Sequence, residues 1–269
     1  MLILLPPSEG KTPAVTGEPV DPAALWLPEL AKARTRVLNR LVALCKRTSE
    51  RSIAGSLATL GLSAGQRAEV ARNAELPGAP AAPAAEIYTG VLYEALGADS
   101  LAPAARDWLE RNAVVFSGLW GVVRLGDRIP AYRCSVGVTL PAPVGGLTTY
   151  WKKALRPALD AATDGQPVLD LRSGAYAAMW SPAAGSATRA AALRVLHERN
   201  VDGVPKRSVV SHFNKATKGR LVRALAADGA APESVDDLVT ALRDLKFTVE
   251  ETPGAPGRPR ALDVVVTEL

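Results

Sequence analysis

Leu2-Ile3-Leu4-Leu5-Pro6-Pro7-Ser8-Glu9-Gly10-Lys11-Thr12 joins an unbroken apolar run to a polar loop. Four consecutive apolar residues read as a buried strand, and the paired prolines end it. The loop beyond them suits an anion: Gly10 permits close backbone approach, while Ser8 and Lys11 supply hydroxyl and ammonium donors at a strand's end. A plain solvent loop would have the same composition.

Farther along the chain, apolar residues recur at helical spacing from about 22 to 47 (Leu30, Val37, Leu38, Leu41, Cys45). Lys32, Arg34, Arg36, Arg40, Lys46 and Arg47 form the solvated basic face of that helix. Cys45 falls in its apolar set and reads as a buried, inert thiol. A short helix over 63–73 takes Ser63 as its cap. Residues 77–83, rich in Pro and Gly, are a surface excursion and not a domain boundary. Further helices are expected near 103–112, 148–162, 214–227 and 233–244. Strands are expected at 114–116 and 168–171, as an antiparallel pair 189–197 with 207–213, and as a closing hairpin of 247–249 with 262–266. The elements mix without strict βαβ alternation, which predicts an α+β or irregular α/β fold in one continuous domain over 1–269.

Composition narrows the chemistry. The chain has 269 residues, a net charge of +5, two cysteines and two histidines. A disulfide scaffold, a cysteine-rich metal site and a histidine-built metal centre are therefore not expected. No apolar run approaches the roughly 18 to 20 residues that span a bilayer. The opening residues lack a basic n-region, and Pro6-Pro7 cut the apolar run short for a signal peptide, so the expectation is a cytoplasmic protein with no membrane partner. Neither a Gly-x-Gly-x-x-Gly fingerprint nor a Walker loop, a His-Glu-x-x-His helix or a Gly-x-Ser-x-Gly elbow occurs, so no cofactor or metal is expected and no catalytic residue can be assigned. A pI near 9.4 favours an anionic partner.

Three more segments carry candidate site residues. Ser117-Gly118-Leu119-Trp120-Gly121-Val122-Val123-Arg124 comes after an apolar strand, and its glycines predict a crowded or tightly turned backbone. Arg124 and Arg133 flank this turn with Asp127 able to orient one of them, although a surface ion pair is equally open. Asp170-Leu171-Arg172-Ser173-Gly174-Ala175-Tyr176 ends another apolar run. Its polar groups either face a crevice or simply cap the loop. From Lys206 to Arg223 there are six Lys or Arg and no acid. There Lys218 shares a helix face with Leu221, Val222 and Leu225, so it snorkels or reaches an anion, and Gly219 leaves room for something to approach.

Taken in order, these segments, with Tyr88-Thr89-Gly90, Pro130-Ala131-Tyr132-Arg133 and Tyr150-Trp151, resemble the YaaA peroxide-stress family along nearly the whole chain. That resemblance implies a single compact α+β domain of unusual fold with a positively charged cleft. Its helical portion, about 22–75, would be helix-hairpin-helix-like, with Leu60-Gly61-Leu62-Ser63-Ala64-Gly65-Gln66-Arg67 an imperfect match. It also implies a role in hydrogen-peroxide resistance and binding of double-stranded or branched DNA. Departures from the family's pattern occur at Pro7-Ser8-Glu9-Gly10-Lys11 and at Lys215-Ala216-Thr217-Lys218-Gly219.

Two functions are expected. One is a DNA-binding protein of little sequence specificity, contacting phosphates. The other is an enzyme on a nucleotide or nucleobase-like phosphorylated small molecule. Ser8, Lys11, Arg124, Arg133, Lys215, Lys218 and Arg220 are the candidate DNA- or phosphate-binding residues. Tyr88, Ser117, Asp127, Asp170, Tyr176 and His212 are further pocket candidates.

Overall fold

The computed structural model describes residues 1–201, 204–208, 211–252 and 257–267. Strands β1 (Leu2–Leu5), β2 (Ala113–Ser117), β3 (Gly121–Arg124), β4 (Val168–Asp170), β5 (Ala190–Val201), β6 (Val204–Ser208), β7 (Thr248–Thr252) and β8 (Arg260–Val266) share one sheet. Its order is β7-β8-β5-β4-β1-β2-β3, with β6 pairing β5. The inner neighbours β2, β1, β4, β5 and β8 are parallel. The antiparallel strands β3, β7 and β6 flank them. Parallel strands are covered on both faces, which is why β1 and β2 are unbroken apolar runs buried at every position.

Around the sheet run α1 (Ala31–Cys45), α2 (Glu50–Leu60), α3 (Arg67–Ala74), α4 (Ala84–Ile87), α5 (Val91–Leu96), α6 (Pro103–Asn112), α7 (Leu147–Ala162), α8 (Gly174–Ala177), α9 (Ser211–Asp228) and α10 (Val235–Asp244). A single contiguous hydrophobic core links β1 to β5, β7 and β8 with these helices. The fold is therefore mixed α and β around a mostly parallel sheet. Among the described residues no helix is long and apolar enough to cross a membrane.

Several local expectations change. The first helix starts at Ala31, not near 22, because Leu27 takes a left-handed φ of 60° and Pro28–Leu30 form a 3-10 turn. α2 is an addition to the expected helices, although its signals are ordinary: Ser49 accepts the Ser52 N–H at its start and Gly61 ends it with φ 66°. Ser63 does cap its helix, exchanging hydrogen bonds with Gln66 in a capping box. The 77–83 excursion is partly internal: Ala81 is fully buried, and Ala82–Pro83 pair with Arg128–Ile129. The second arm of the 189–213 hairpin stops at Ser208. Ser211 begins α9, whose packing on α5 outweighs the local apolar pattern. The turn residues 202–203 lie outside the described residues.

Arg34 departs most from its expected place on a solvated face. It is 0% exposed and has no carboxylate partner among the described residues. Its guanidinium donates to the carbonyls of Pro22, Leu25, Trp26, Leu27, Trp120 and Val122. Four of these carbonyls belong to the irregular stretch before α1, where those of Pro22, Leu25 and Trp26 need a donor from outside a helix or ladder, while Leu27 O and Trp120 O also accept the Leu30 and Val122 N–H groups. Arginine's fork of five N–H donors meets that need inside the core.

Candidate functional site

β1 lies between β2 and β4, so the chain first moves to one side of it and later to the other. In parallel sheets a crevice forms outside the carboxyl ends of the strands at such a reversal. Three loops meet there: Pro6–Thr12 after β1, Ser117–Trp120 after β2, and Leu171–Ser173 after β4.

The first loop is zipped to the end of α4. Thr12 N–H donates to Ile87 O, Thr89 N–H to Gly10 O and to Ser8 Oγ, and Lys11 forms a bridge with Tyr88. A Cβ on Gly10 would stand 2.8 Å from Thr89 Oγ1, so glycine is needed for this approach. Lys11 Nζ donates to Ser8 O at 2.8 Å and lies 4.3 Å from the Tyr132 ring centroid and 5.4 Å from that of Tyr88. Burial lowers its pKa to about 8, opposed by Glu9 and Glu69 and aided by Arg133. Glu9 is itself held by Arg133, through its carboxylate and its carbonyl, both at 2.9 Å. Asn73 of α3 fixes the Arg133 backbone from both sides.

Below Lys11 runs a chain of hydroxyls. Ser117 Oγ accepts the N–H groups of Leu119 and Trp120 and lies 2.6 Å from Tyr132 Oη, which lies 2.9 Å from Tyr88 Oη. Tyr93 stacks on Tyr88 and donates to Pro6 O. The pKa of Tyr88 is pushed up to about 12, and burial also raises those of Tyr93, Tyr132 and Tyr176. Gly118 meets the backbone of Cys134 and Ser135, and Gly121 has φ 74° under the Trp151 ring, so the crowding expected of this segment is present.

On the β4 side, Asp170 is gripped by Arg172 through both oxygens, and Arg172 lies over the Phe116 ring. Asp170 also caps the loop by accepting Arg172 N–H. Lys218, 8% exposed, reaches from α9 to donate to Leu171 O at 2.9 Å. Burial lowers its pKa, and Asp170 opposes the shift. Gly219 admits the backbone of α5 at Leu92, not a ligand. Lys215 and Arg220 are exposed on α9. The side chain of His212 lies outside the described residues.

The structure therefore brings Ser8, Lys11, Tyr88, Ser117, Arg133, Asp170, Tyr176 and Lys218 to one edge of the sheet. It takes Arg124 and Asp127 away from them. β3 runs antiparallel to β2 with Arg124 opposite Val114, which puts both at the amino ends of the parallel strands. There Arg124 lies over Trp26, and Asp127 accepts the Trp26 and Arg124 N–H groups. Tyr93 and Tyr132 join the crevice without having stood out as candidates in the sequence. The sequence offers a signal only for Tyr132, which lies in the Pro130-Ala131-Tyr132-Arg133 segment; that four of the five tyrosines gather here is visible in the structure alone.

Both thiols are buried and their pKa values are raised, Cys45 to about 11 and Cys134 to about 12. Neither supplies the thiolate that reacts with peroxide near neutral pH. Among the described residues, no group of three His, Cys, Asp or Glu side chains is disposed to hold a metal ion.

A second region is built from exposed charge. Lys32, Arg36 and Arg40 recur every fourth residue along α1 and, with Pro143, line an open groove of about 660 Å³ whose described lining contains no acidic residue.

Residues 1–252 match the family model described as peroxide stress protein YaaA. A UPF0246 protein of Streptomyces coelicolor is 53% identical, with the whole of both chains aligned. A UPF0246 protein of Corynebacterium efficiens is 41% identical over 99% of this chain and 100% of its own. An uncharacterized protein of Campylobacter jejuni is 27% identical over 82% of this chain and 83% of its own. The chain belongs to the YaaA peroxide stress protein family.

Proposed function

We propose that this protein binds duplex or branched DNA through its phosphate backbone, with weak sequence preference, as part of a peroxide-stress response in the cytoplasm. The observation that carries this reading is the acid-free groove on α1. Steps of four residues put its cations about 6 Å apart along a straight helix. Such an array suits a phosphodiester strand, whose contacts position a protein on a duplex without carrying sequence information. α2 and α3, joined through Gly61 to Gln66 in the stretch that resembles a helix-hairpin-helix, pack on α1 and extend this helical layer.

Fluorescence anisotropy with unrelated duplexes, at low and moderate salt, tests the reading. Similar affinity for every sequence and a steep loss with salt are expected. Binding that ignores salt, or no binding at low salt, would overturn it.

The crevice supports a second reading, an enzyme acting on a small phosphorylated molecule. What favours it is the pairing of Lys11 with a set of buried hydroxyls, a chemistry a DNA backbone does not require.

A further inference from the structure

The ribbon formed by β5 and β6 sets two cations face to face. β8 runs along one flank of β5 as far as His197, whereas β4 follows the other flank only to Ala192. β6 pairs His197 to Val201 on the flank that β4 leaves, so the ribbon stands beyond the carboxyl end of β4. Ala191, Leu193, Val195 and His197 share one face of β5 and are buried, while Arg199, the next residue on that face, is exposed. Directly opposite Arg199 is Lys206, also exposed.

Like charges directly opposite one another destabilise an antiparallel pair, because their Cβ atoms lie only about 5 Å apart. On the other face of the ribbon the chain places an acid against the cation: Glu198 is opposite Arg207 and pairs with it at 2.7 Å, and Glu250 adds a second carboxylate. Among the described residues, Arg199 and Lys206 have no carboxylate partner. Arg199 is also held in position. Its Nε–H donates to Nδ1 of His197 at 3.1 Å, and His197 is 3% exposed. The imidazole therefore carries its proton on Nε2 and acts as an acceptor. This bond uses the Nε–H of Arg199 and leaves the N–H groups of its two terminal nitrogens for a partner.

We propose that Arg199 and Lys206 form a phosphate clamp. The two terminal nitrogens of Arg199 hold two oxygens of one phosphate end-on, and the Lys206 ammonium neutralises it from the opposite strand. A dianion between the two cations removes the repulsion that the ribbon otherwise carries. His197 is a positioning residue: it fixes the arginine fork and does not touch the ligand. The clamp takes a phosphate that is free, carried by a small molecule or esterified in a nucleic-acid strand. It is separate from the groove on α1 and does not depend on it.

The test follows the Nε–Hε signal of Arg199 in the full chain labelled with 15N, assigned by its loss in Arg199→Lys. Inorganic phosphate added at constant ionic strength should move this signal and saturate. Lys206→Gln, a change on an exposed strand position, should weaken the midpoint about tenfold, as expected for one charge-assisted contact. His197→Phe should weaken it as well. His197→Asn, whose side-chain oxygen can accept the same N–H, should recover most of the loss, a recovery that a merely structural histidine would not show. A second arm measures anisotropy of a labelled duplex across a range of salt. If the double change Arg199→Gln, Lys206→Gln lowers the slope of log affinity against log salt by about 2, the clamp holds a nucleic-acid backbone. If the slope is unchanged while the phosphate response is intact, the clamp serves a free phosphorylated molecule. No saturable shift together with an unchanged slope overturns the proposal, and so does a shift that saturates at the same phosphate concentration in Lys206→Gln.

Discussion

Two basic regions of this molecule carry similar formal charge and hold it differently. On α1, Lys32, Arg36 and Arg40 line an open groove without an acid. At the carboxyl edge of the sheet nearly every cation is engaged: Arg172 by Asp170, Arg133 by Glu9, Lys218 by the Leu171 carbonyl. The acid-free run from Lys206 to Arg223 is similarly reduced. Arg207 is paired with Glu198 and Glu250, and Arg223 donates to Leu96 O and Gly97 O. Charge that is counted along the chain is not the charge a partner meets, because strands distant in sequence bring in the acids.

The difference between committed and free cations should show most strongly inside α1 itself. Arg34→Met removes every bond this guanidinium donates to six carbonyls, four in buried and two in part-buried contacts, and should cost about 3–5 kcal/mol, lowering the melting temperature by roughly 10 °C. Arg36→Met, two residues on, should stay within about 0.5 kcal/mol of wild type. Calorimetry reads both, and equal effects would erase the distinction.

Next in size is the triple change Lys32→Gln, Arg36→Gln, Arg40→Gln. The slope of log affinity for a duplex against log salt should shrink by about 3, since each lost phosphate contact removes roughly 0.9. An unchanged slope would move the interface elsewhere. Lys218→Met tests the other region. It removes a charge-assisted bond but also relieves a buried ammonium, so the net stability change should be below about 2 kcal/mol. Its duplex salt slope should match wild type.

The smallest effect is a pH dependence at Lys11. Its folded pKa, about 8, lies below the ordinary lysine value. Between these two values the unfolded chain binds more protons than the folded one, so rising pH stabilises the fold through this group. Below about pH 8 the buried charge is a standing penalty, which Lys11→Met lacks. The melting temperature of Lys11→Met should therefore exceed that of wild type most at pH 7, and the gap should narrow towards pH 10. A gap that widens with pH would mean that the ammonium is favoured where it lies.

Elements governed by local pattern are legible in the sequence. β1, β2, β4 and β8 have apolar runs, and α7 and α10 have clear helical periodicity. What escapes depends on distance. Arg34 sits in a basic helix, and nothing near it in sequence reveals that carbonyls from β3 and from Trp120 await it. The crevice is half legible. Ser8, Lys11, Ser117 and Lys218 stand out by their places after strands or on a core-facing stripe. Arg124 and Asp127 group with them in sequence only because they come after the same strand, yet an antiparallel return carries them to the opposite edge. Tyr132 and Tyr93 do not stand out, since a tyrosine in such surroundings is ordinary until its hydroxyl partners are known.

Arg34 also governs how the groove on α1 works. Its guanidinium fastens α1 to the chain before it and to β3, so the helix cannot roll about its axis or slide along it without breaking several bonds together. The three outward cations are therefore mounted on a rigid ruler, with only their own side-chain rotors free. A partner of matching spacing loses little in ordering the backbone, while one of different spacing cannot be accommodated by adjusting the helix. For a phosphodiester partner of the kind proposed, such a mounting would select by the contour of the strand in place of its letters.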